Sequence, residues 1–70
     1  MRRRRVNSSS LLSVGYDPRS RILEIEFHHT GVYQYYGVPG AVFEALLAQD
    51  SLGAYFNTNI RDVYQCVRVR

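Results

Sequence analysis

The sequence predicts an α+β domain in which a three-stranded antiparallel meander packs against one helix and a shorter second helix. Apolar and polar residues alternate along residues 21–28, as they do in a strand with one buried face. Turn-forming residues separate this segment from two other short apolar segments, at about 12–17 and 32–37. Pro39 then precedes a stretch with helical spacing. Together these observations predict two consecutive hairpins followed by helices.

The first hairpin turn is predicted at residues 17–20. Pro18 suits the second position of a type I turn, and the side chain of Asp17 can accept hydrogen bonds from the backbone that follows. The second turn ends at Gly31, which can supply a positive φ. The chain therefore reverses twice between residues 12 and 37.

The strand periodicity also assigns the faces of the sheet. One face of the second strand carries three apolar side chains, those of Leu23, Ile25 and Phe27. In the third strand Tyr33 and Tyr35 share a face, and Tyr36 takes the other. One sheet face therefore shows the tyrosine pair either to a core or to a partner.

The first helix is predicted over residues 39–49, because a proline at the first helical position loses no hydrogen bond. Its apolar stripe consists of Val42, Phe43, Leu46 and Leu47. Ser51 can cap a second helix over about 51–57, and residues 57–59 look like a break. The segment beyond them has two interpretations, either continued helical spacing or a short terminal strand.

Composition predicts a single folded domain with a basic arm. The 70 residues are 46% hydrophobic, which is too apolar for a disordered chain. All nine basic residues are arginines, and four of them are consecutive at residues 2–5. We expect residues 1–7 to form a disordered arm, and residues 8–70 to form the domain. Such an arm is either a solvated tail or a non-specific grip on phosphates.

Cysteine usage and hydropathy indicate the setting of the protein. Cys66 is the single cysteine, so no intramolecular disulfide can form, and a cytoplasmic location is expected. No apolar run in the sequence suits a secretory signal or a membrane span, and no membrane contact is expected. The oligomeric state does not follow from the sequence.

Taken together, the segments resemble the KTSC domain family, whose name refers to the C-terminus of certain lysyl-tRNA synthetases. The resemblance spans Val6 to about Val69, and a Tyr-x-Tyr strand is its signature. It rests on the order and spacing of Ser9-Ser10, Val14-Gly15-Tyr16-Asp17, Leu23-Glu24-Ile25-Glu26-Phe27, Val32-Tyr33-Gln34-Tyr35, Val38-Pro39, Ser51-Leu52-Gly53-Ala54-Tyr55-Phe56-Asn57, Ile60-Arg61 and Tyr64. The resemblance implies a small bacterial or phage module without an established activity. It suggests RNA binding only through the link to a tRNA enzyme.

The candidate nucleic-acid-binding residues are Tyr33, Tyr35, Arg61 and Arg68. Single-stranded nucleic acid is often held by bases stacked on aromatic rings of a sheet face, with cations nearby. Alternatively, both tyrosines pack beneath the helix as part of the core. The packing interpretation is favoured, because so short a chain has little else to bury.

A catalytic function is not expected. His28 and His29 are adjacent and cannot jointly hold one metal ion without other ligands, and no metal or other cofactor is predicted. Neither a glycine-rich phosphate loop nor a nucleophile elbow is present. We therefore predict a small non-catalytic domain of unknown function, with an accessory module that contacts RNA or another nucleic acid as the first hypothesis. The alternative is a protein-protein interaction module, of phage or mobile-element origin.

Overall fold

The computed structural model describes residues 1–70, which form a five-stranded antiparallel sheet and two helices. The strands lie in chain order across the sheet, and both helices come between the fourth and fifth strands. The elements are β1 (Arg4–Arg5), β2 (Leu11–Asp17), β3 (Ile22–Phe27), β4 (Gly31–Tyr36), α1 (Gly40–Leu47), α2 (Leu52–Asn59) and β5 (Cys66–Arg68). The α+β prediction is confirmed. The predicted meander is the centre of the sheet, and one short strand is added at each edge.

The turn between β2 and β3 forms around Asp17 as predicted. Its carboxylate accepts a hydrogen bond from the backbone N–H of Arg19 at 3.0 Å and another from the hydroxyl of Ser20 at 2.9 Å. These bonds, that of Ser20 first, hold the pKa of Asp17 below its usual value. Arg21 closes the turn with a φ of 57°.

Strand register puts the tyrosine pair on the helix-facing side of the sheet. Tyr35 lies opposite Leu23, and Tyr33 lies opposite Ile25, so each pair shares one face. Leu23 and Ile25 are completely buried. The same core contains seven other buried side chains, those of Leu11, Val14, Val38, Leu46, Leu52, Phe56 and Ile60. The predicted shared face of the tyrosines is therefore the core face.

Helix α1 begins one residue later than predicted, because Pro39 stands at its N-cap with extended backbone angles. The Pro39 carbonyl accepts hydrogen bonds from the backbone N–H groups of Val42 and Phe43. The helix ends at Leu47, earlier than residue 49, and the side-chain amide of Gln49 folds back to the Ala45 carbonyl. Within the predicted apolar stripe only Leu46 is fully buried, and the other three members pack around the core at partial exposure.

Helix α2 begins as predicted but runs further. The hydroxyl of Ser51 caps it by accepting a hydrogen bond from the Ala54 N–H at 3.2 Å. The predicted break at residues 57–59 is wrong, because the helix continues to Asn59. Burial of Ile60 directly behind the last turn anchors that turn in the core.

The two chain ends form the edge strands. Residues 66–68 form a strand against β4, which decides between the two interpretations of the C-terminal segment. At the other edge, Arg4 and Arg5 pair with β2, and the backbone of Arg2 passes over Gly15. A Cβ atom at Gly15 would lie 2.6 Å from the Arg2 carbonyl oxygen, so the absence of a side chain there lets the arm approach. Part of the predicted basic arm is thus built into the sheet.

Candidate functional site

A cleft of about 370 Å³ opens between the helix-facing side of the sheet and α2. Its walls come from β3, β4, α2 and the segments that precede β2 and β4. The lining residues are Ser10, Phe27, Thr30, Tyr33, Tyr35, Gly53, Phe56, Asn57 and Arg61. Three of the four predicted site residues therefore meet in one place, although they come from distant parts of the sequence.

Four aromatic rings form the apolar wall of the cleft. Phe56 contacts Phe27 and Tyr35 edge to face, with ring centroids 5.2 and 5.5 Å apart. Phe27 contacts Tyr33 in the same way at 5.7 Å. Edge-to-face pairs of this kind stabilise one another through the ring quadrupoles. Because the rings are engaged with each other, the wall is a packed cluster and not a row of free faces.

The two tyrosines of the Tyr-x-Tyr strand differ in burial. Tyr35 is only 5% exposed, and Tyr33 is half-buried against the core. None of the six tyrosines in the chain is fully exposed. Tyr33 is therefore the ring of the pair that retains area for a ligand, while Tyr35 offers the cleft its hydroxyl.

The Tyr35 hydroxyl lies among polar groups. Burial raises the pKa of Tyr35 to about 12, and the neighbouring Cys66 thiol and Tyr33 hydroxyl act in the same direction. The guanidinium of Arg61 opposes them. Cys66 pairs with Tyr35 across β4 and β5, and its thiol is a weak hydrogen-bonding partner. The hydroxyl thus keeps hydrogen-bonding capacity for a ligand in the cleft.

The rim of the cleft is polar and carries a positive charge. Ser10, Thr30 and Asn57 bring two hydroxyls and an amide, and Arg61 brings the one charged group. No carboxylate lines the cleft, and Arg61 forms no ion pair, since both ion pairs of the protein belong to Arg3. The electrostatics therefore favour an anionic or electron-rich group over a cation.

A glycine keeps the cleft narrow at one side. A Cβ atom on Gly53 would lie 3.1 Å from the Ser10 hydroxyl oxygen, which is tighter than ordinary van der Waals contact. The first turn of α2 can therefore approach the segment before β2 closely.

Arg68 lies beside the cleft but does not line it. It is the register partner of Tyr33, and its side chain covers Gly31 at the sheet edge. Its Nε donates a hydrogen bond to the Arg70 carbonyl at 2.9 Å. The structure therefore brings Arg61 into the cleft and leaves Arg68 about one strand away from it.

Sequence reasoning missed five of the lining side chains as site residues: Ser10, Phe27, Thr30, Phe56 and Asn57. For Phe27 a signal existed, because the alternation of β3 predicts it on the face that also holds Tyr33. For the others no local signal exists, because only the packing of α2 on the sheet brings them together.

Other features of the fold bear on site chemistry. No three His, Cys, Asp or Glu side chains come together. Both helices have eight residues, and neither is long enough to cross a membrane.

The architecture defines a class of small α+β domain in which a meander sheet packs against two short helices. Residues 7–64 match the model of the KTSC domain, and the chain belongs to that family. The crystal structure of a KTSC domain protein from Yersinia pestis superposes with a TM-score of 0.97 at 39% identity, covering 99% of this chain and 97% of that one.

Two sequence relatives are similar to this chain over most of its length. An uncharacterized protein of Stutzerimonas stutzeri is 53% identical over 57 residues, which are 81% of this chain and 80% of that protein. A protein of Tsukamurella paurometabola is 39% identical over 62 residues, which are 89% of this chain and 92% of that protein. Their names state no activity.

Proposed function

We propose that this KTSC domain is a non-catalytic module that contacts single-stranded nucleic acid by accepting one unstacked base in the cleft. The observation that carries the proposal is the composition of the cleft, in which an aromatic wall faces a polar rim with one unpaired arginine and no carboxylate. The link to a lysyl-tRNA synthetase tail, which the family resemblance implies, is consistent with an RNA ligand.

The geometry suggests a role for each group. The exposed part of the Tyr33 ring contacts the base. Stacking of a base on an aromatic ring contributes about 1–3 kcal/mol in proteins that bind single-stranded nucleic acid. The Tyr35 hydroxyl and the Asn57 amide offer donors and acceptors to the base edge. Arg61 and, at the sheet edge, Arg68 pair with the adjoining phosphates.

The cleft suits one base and not a run of bases. Its rings are packed edge to face, so they provide no continuous stacking surface. We therefore expect modest affinity for a strand and a strong dependence on salt, because phosphate contacts dominate such binding.

The test is a titration of a fluorescently labelled single-stranded RNA with the whole protein across a salt series. Arg61→Gln is expected to weaken binding about tenfold, which is about 1.4 kcal/mol. Tyr33→Leu keeps an apolar side chain in the core and is expected to weaken binding by a similar factor. Arg19→Gln, at the β2–β3 turn far from the cleft, is the matched control for loss of one positive charge and is expected to change binding less than twofold.

Two results would contradict the proposal. In one, Arg61→Gln and Arg19→Gln weaken binding equally, which indicates general charge attraction. In the other, both cleft variants bind as the wild type does, while the double variant Arg2→Gln/Arg4→Gln, which removes two arginines of the N-terminal arm, does not bind. The arm would then be the sole contact.

A protein-interaction module is the second candidate, and one observation favours it. Three exposed apolar side chains, those of Val63, Val67 and Val69, lie in the C-terminal segment around the edge strand β5. A second copy of the chain could pair with that edge. Sedimentation at rising concentration tests this, and a monomer throughout would contradict it.

A further inference from the structure

The outer face of the sheet, which points away from the helices, carries a second concavity. This outer groove has a volume of about 480 Å³ and shares no lining residue with the cleft. Arginines from both ends of the chain line it, namely Arg3, Arg5 and Arg70, together with Ser13 and Glu26. The two arginine clusters that lie at opposite ends of the sequence therefore meet in the fold.

Arg3 contacts both acidic side chains of this face. Its guanidinium donates to the Ser13 hydroxyl at 3.0 Å and pairs with the carboxylate of Glu24. It also lies 3.6 Å from Glu26, whose carboxylate accepts a hydrogen bond from Ser13 at 3.0 Å. Both carboxylates contact Arg3, and neither forms an ion pair with the other arginines of the groove.

Arg5 and Arg70 are exposed and form no ion pair. Their backbones are nevertheless fixed. Arg5 pairs with Ser13 in the ladder between β1 and β2, while the N–H of Arg70 donates to the Val32 carbonyl and its own carbonyl accepts from the Val32 N–H. The sheet therefore fixes the backbones from which two guanidinium groups without ion pairs line one groove. Anchoring of this kind lowers the entropic cost of binding an anion.

We infer that the outer groove is a binding site for phosphate groups, held by Arg5 and Arg70 across a floor organised by Arg3. Guanidinium groups bind phosphate oxygens through paired, charge-assisted hydrogen bonds. The phosphates belong either to a free polyphosphate or to a nucleic-acid backbone. The outer groove is separate from the cleft, and phosphate binding in the groove does not depend on base binding in the cleft.

The experiment is a titration of the whole protein with sodium tripolyphosphate at low ionic strength, followed by calorimetry and by amide chemical shifts. We expect saturable binding, with the largest shifts in β1, at Ser13 and at the C-terminal end of the chain. Arg5→Gln/Arg70→Gln is expected to weaken binding about tenfold or more. Arg19→Gln/Arg21→Gln, which removes two arginines at the β2–β3 turn, is expected to change it less than about twofold.

A charge-conserving variant separates loss of the site from loss of the fold. Arg5→Lys/Arg70→Lys keeps both charges and is expected to bind more tightly than the glutamine variant. Absence of saturable binding in the wild type would overturn the inference. So would equal weakening in the groove variant and in the control variant.

Two further measurements identify the source of the phosphates and distinguish binding in the groove from binding in the cleft. Competition by a single-stranded oligonucleotide, with a salt slope that falls by about 1.4 in the Arg5→Gln/Arg70→Gln variant, assigns the phosphates to a nucleic-acid backbone. Tripolyphosphate binding without such competition assigns them to a free polyphosphate. Arg61→Gln is expected to weaken tripolyphosphate binding much less than the groove variant Arg5→Gln/Arg70→Gln does. If it weakens that binding as much as the groove variant does, the phosphate lies in the cleft and the outer groove is not the site.

Discussion

Tyr35 and Phe56 meet edge to face with their ring centroids 5.5 Å apart, and this contact joins the central sheet to α2. Phe56 also contacts Phe27, so a single ring of α2 connects two strands. The contact therefore forms the apolar wall of the cleft and part of the core at the same time.

Replacement of Phe56 by alanine is expected to cost about 3–5 kcal/mol, because it leaves a cavity at this junction. For a chain of 70 residues that loss is a large share of the total stability. Urea denaturation measures it. Val63→Ala removes an exposed apolar side chain and serves as the control, with an expected change within about 0.5 kcal/mol. A similar small change for Phe56→Ala would show that the ring does not hold α2 on the sheet.

Arg3→Gln is expected to destabilise the fold by about 1–3 kcal/mol at neutral pH, because Glu24 is buried and loses a charged hydrogen-bond donor. Arg2→Gln, at an exposed neighbouring position, is the control. Chemical denaturation of both variants measures the difference. Equal stability of the two would contradict the role given to Arg3.

The pH dependence of the Arg3 effect follows from Glu24. Burial disfavours the charged form of this carboxylate, but hydrogen bonds from Gln34 and Arg3 outweigh burial and hold the pKa of Glu24 below its usual value of 4.5. The folded state thus binds the proton less tightly than the unfolded chain, and the stabilisation present above pH 4.5 is lost as the pH falls through the lower pKa of the folded state. The stability difference between the wild type and Arg3→Gln is expected to shrink on acidification. A difference that stays constant down to about pH 2 would count against this account.

Gly15→Ala is expected to detach the N-terminal arm, because the added Cβ would lie 2.6 Å from the Arg2 carbonyl oxygen. Overpacking of this kind costs about 1–3 kcal/mol, and here it is relieved by movement of the arm. Limited trypsin digestion with mass spectrometry is expected to show faster cleavage within residues 2–5. Gly40→Ala is the matched control, since its Cβ would meet only the Tyr16 ring at 3.9 Å. Equal cleavage rates would show that the arm is not held through Gly15.

Tyr35 is expected to influence stability at alkaline pH. Its pKa of about 12 lies above the usual 10.0, so the folded state holds the phenolic proton more tightly than the unfolded chain. The contribution is complete below pH 10.0 and is lost as the pH rises towards 12. Between about pH 9 and about pH 11, the unfolding free energy is expected to decrease more for the wild type than for Tyr35→Phe. Parallel losses in the two proteins would contradict the assignment, because the remaining tyrosines are common to both.

The elements that the sequence predicts well are those with strictly local causes. The alternation around Leu23 and Ile25 predicts β3, and Asp17 predicts the turn before it. The Ser51 cap predicts where α2 starts. Its end at Asn59 is not predicted. Asn57 and Asn59 favour an earlier end of the helix, but burial of Ile60 in the core extends it.

The candidate site is predicted in part for the same reason. Periodicity puts Tyr33 and Tyr35 on one face, but it does not say whether that face is covered. Arg61 enters the cleft because α2 packs across β4, whereas Arg68 is held at the sheet edge by its bond to the Arg70 carbonyl. Burial and neighbours depend on contacts between residues that are distant in the chain.

The sequence by itself determined that the chain is one α+β domain with a meander at its centre, because strand and helix periods and turn chemistry are properties of neighbouring residues. It also determined the family, through the order of its segments. Only the tertiary structure decided that Tyr35 is core and that Arg5 and Arg70 share a groove. Those relationships exist only after the sheet has formed, because they depend on residues that are distant in the chain.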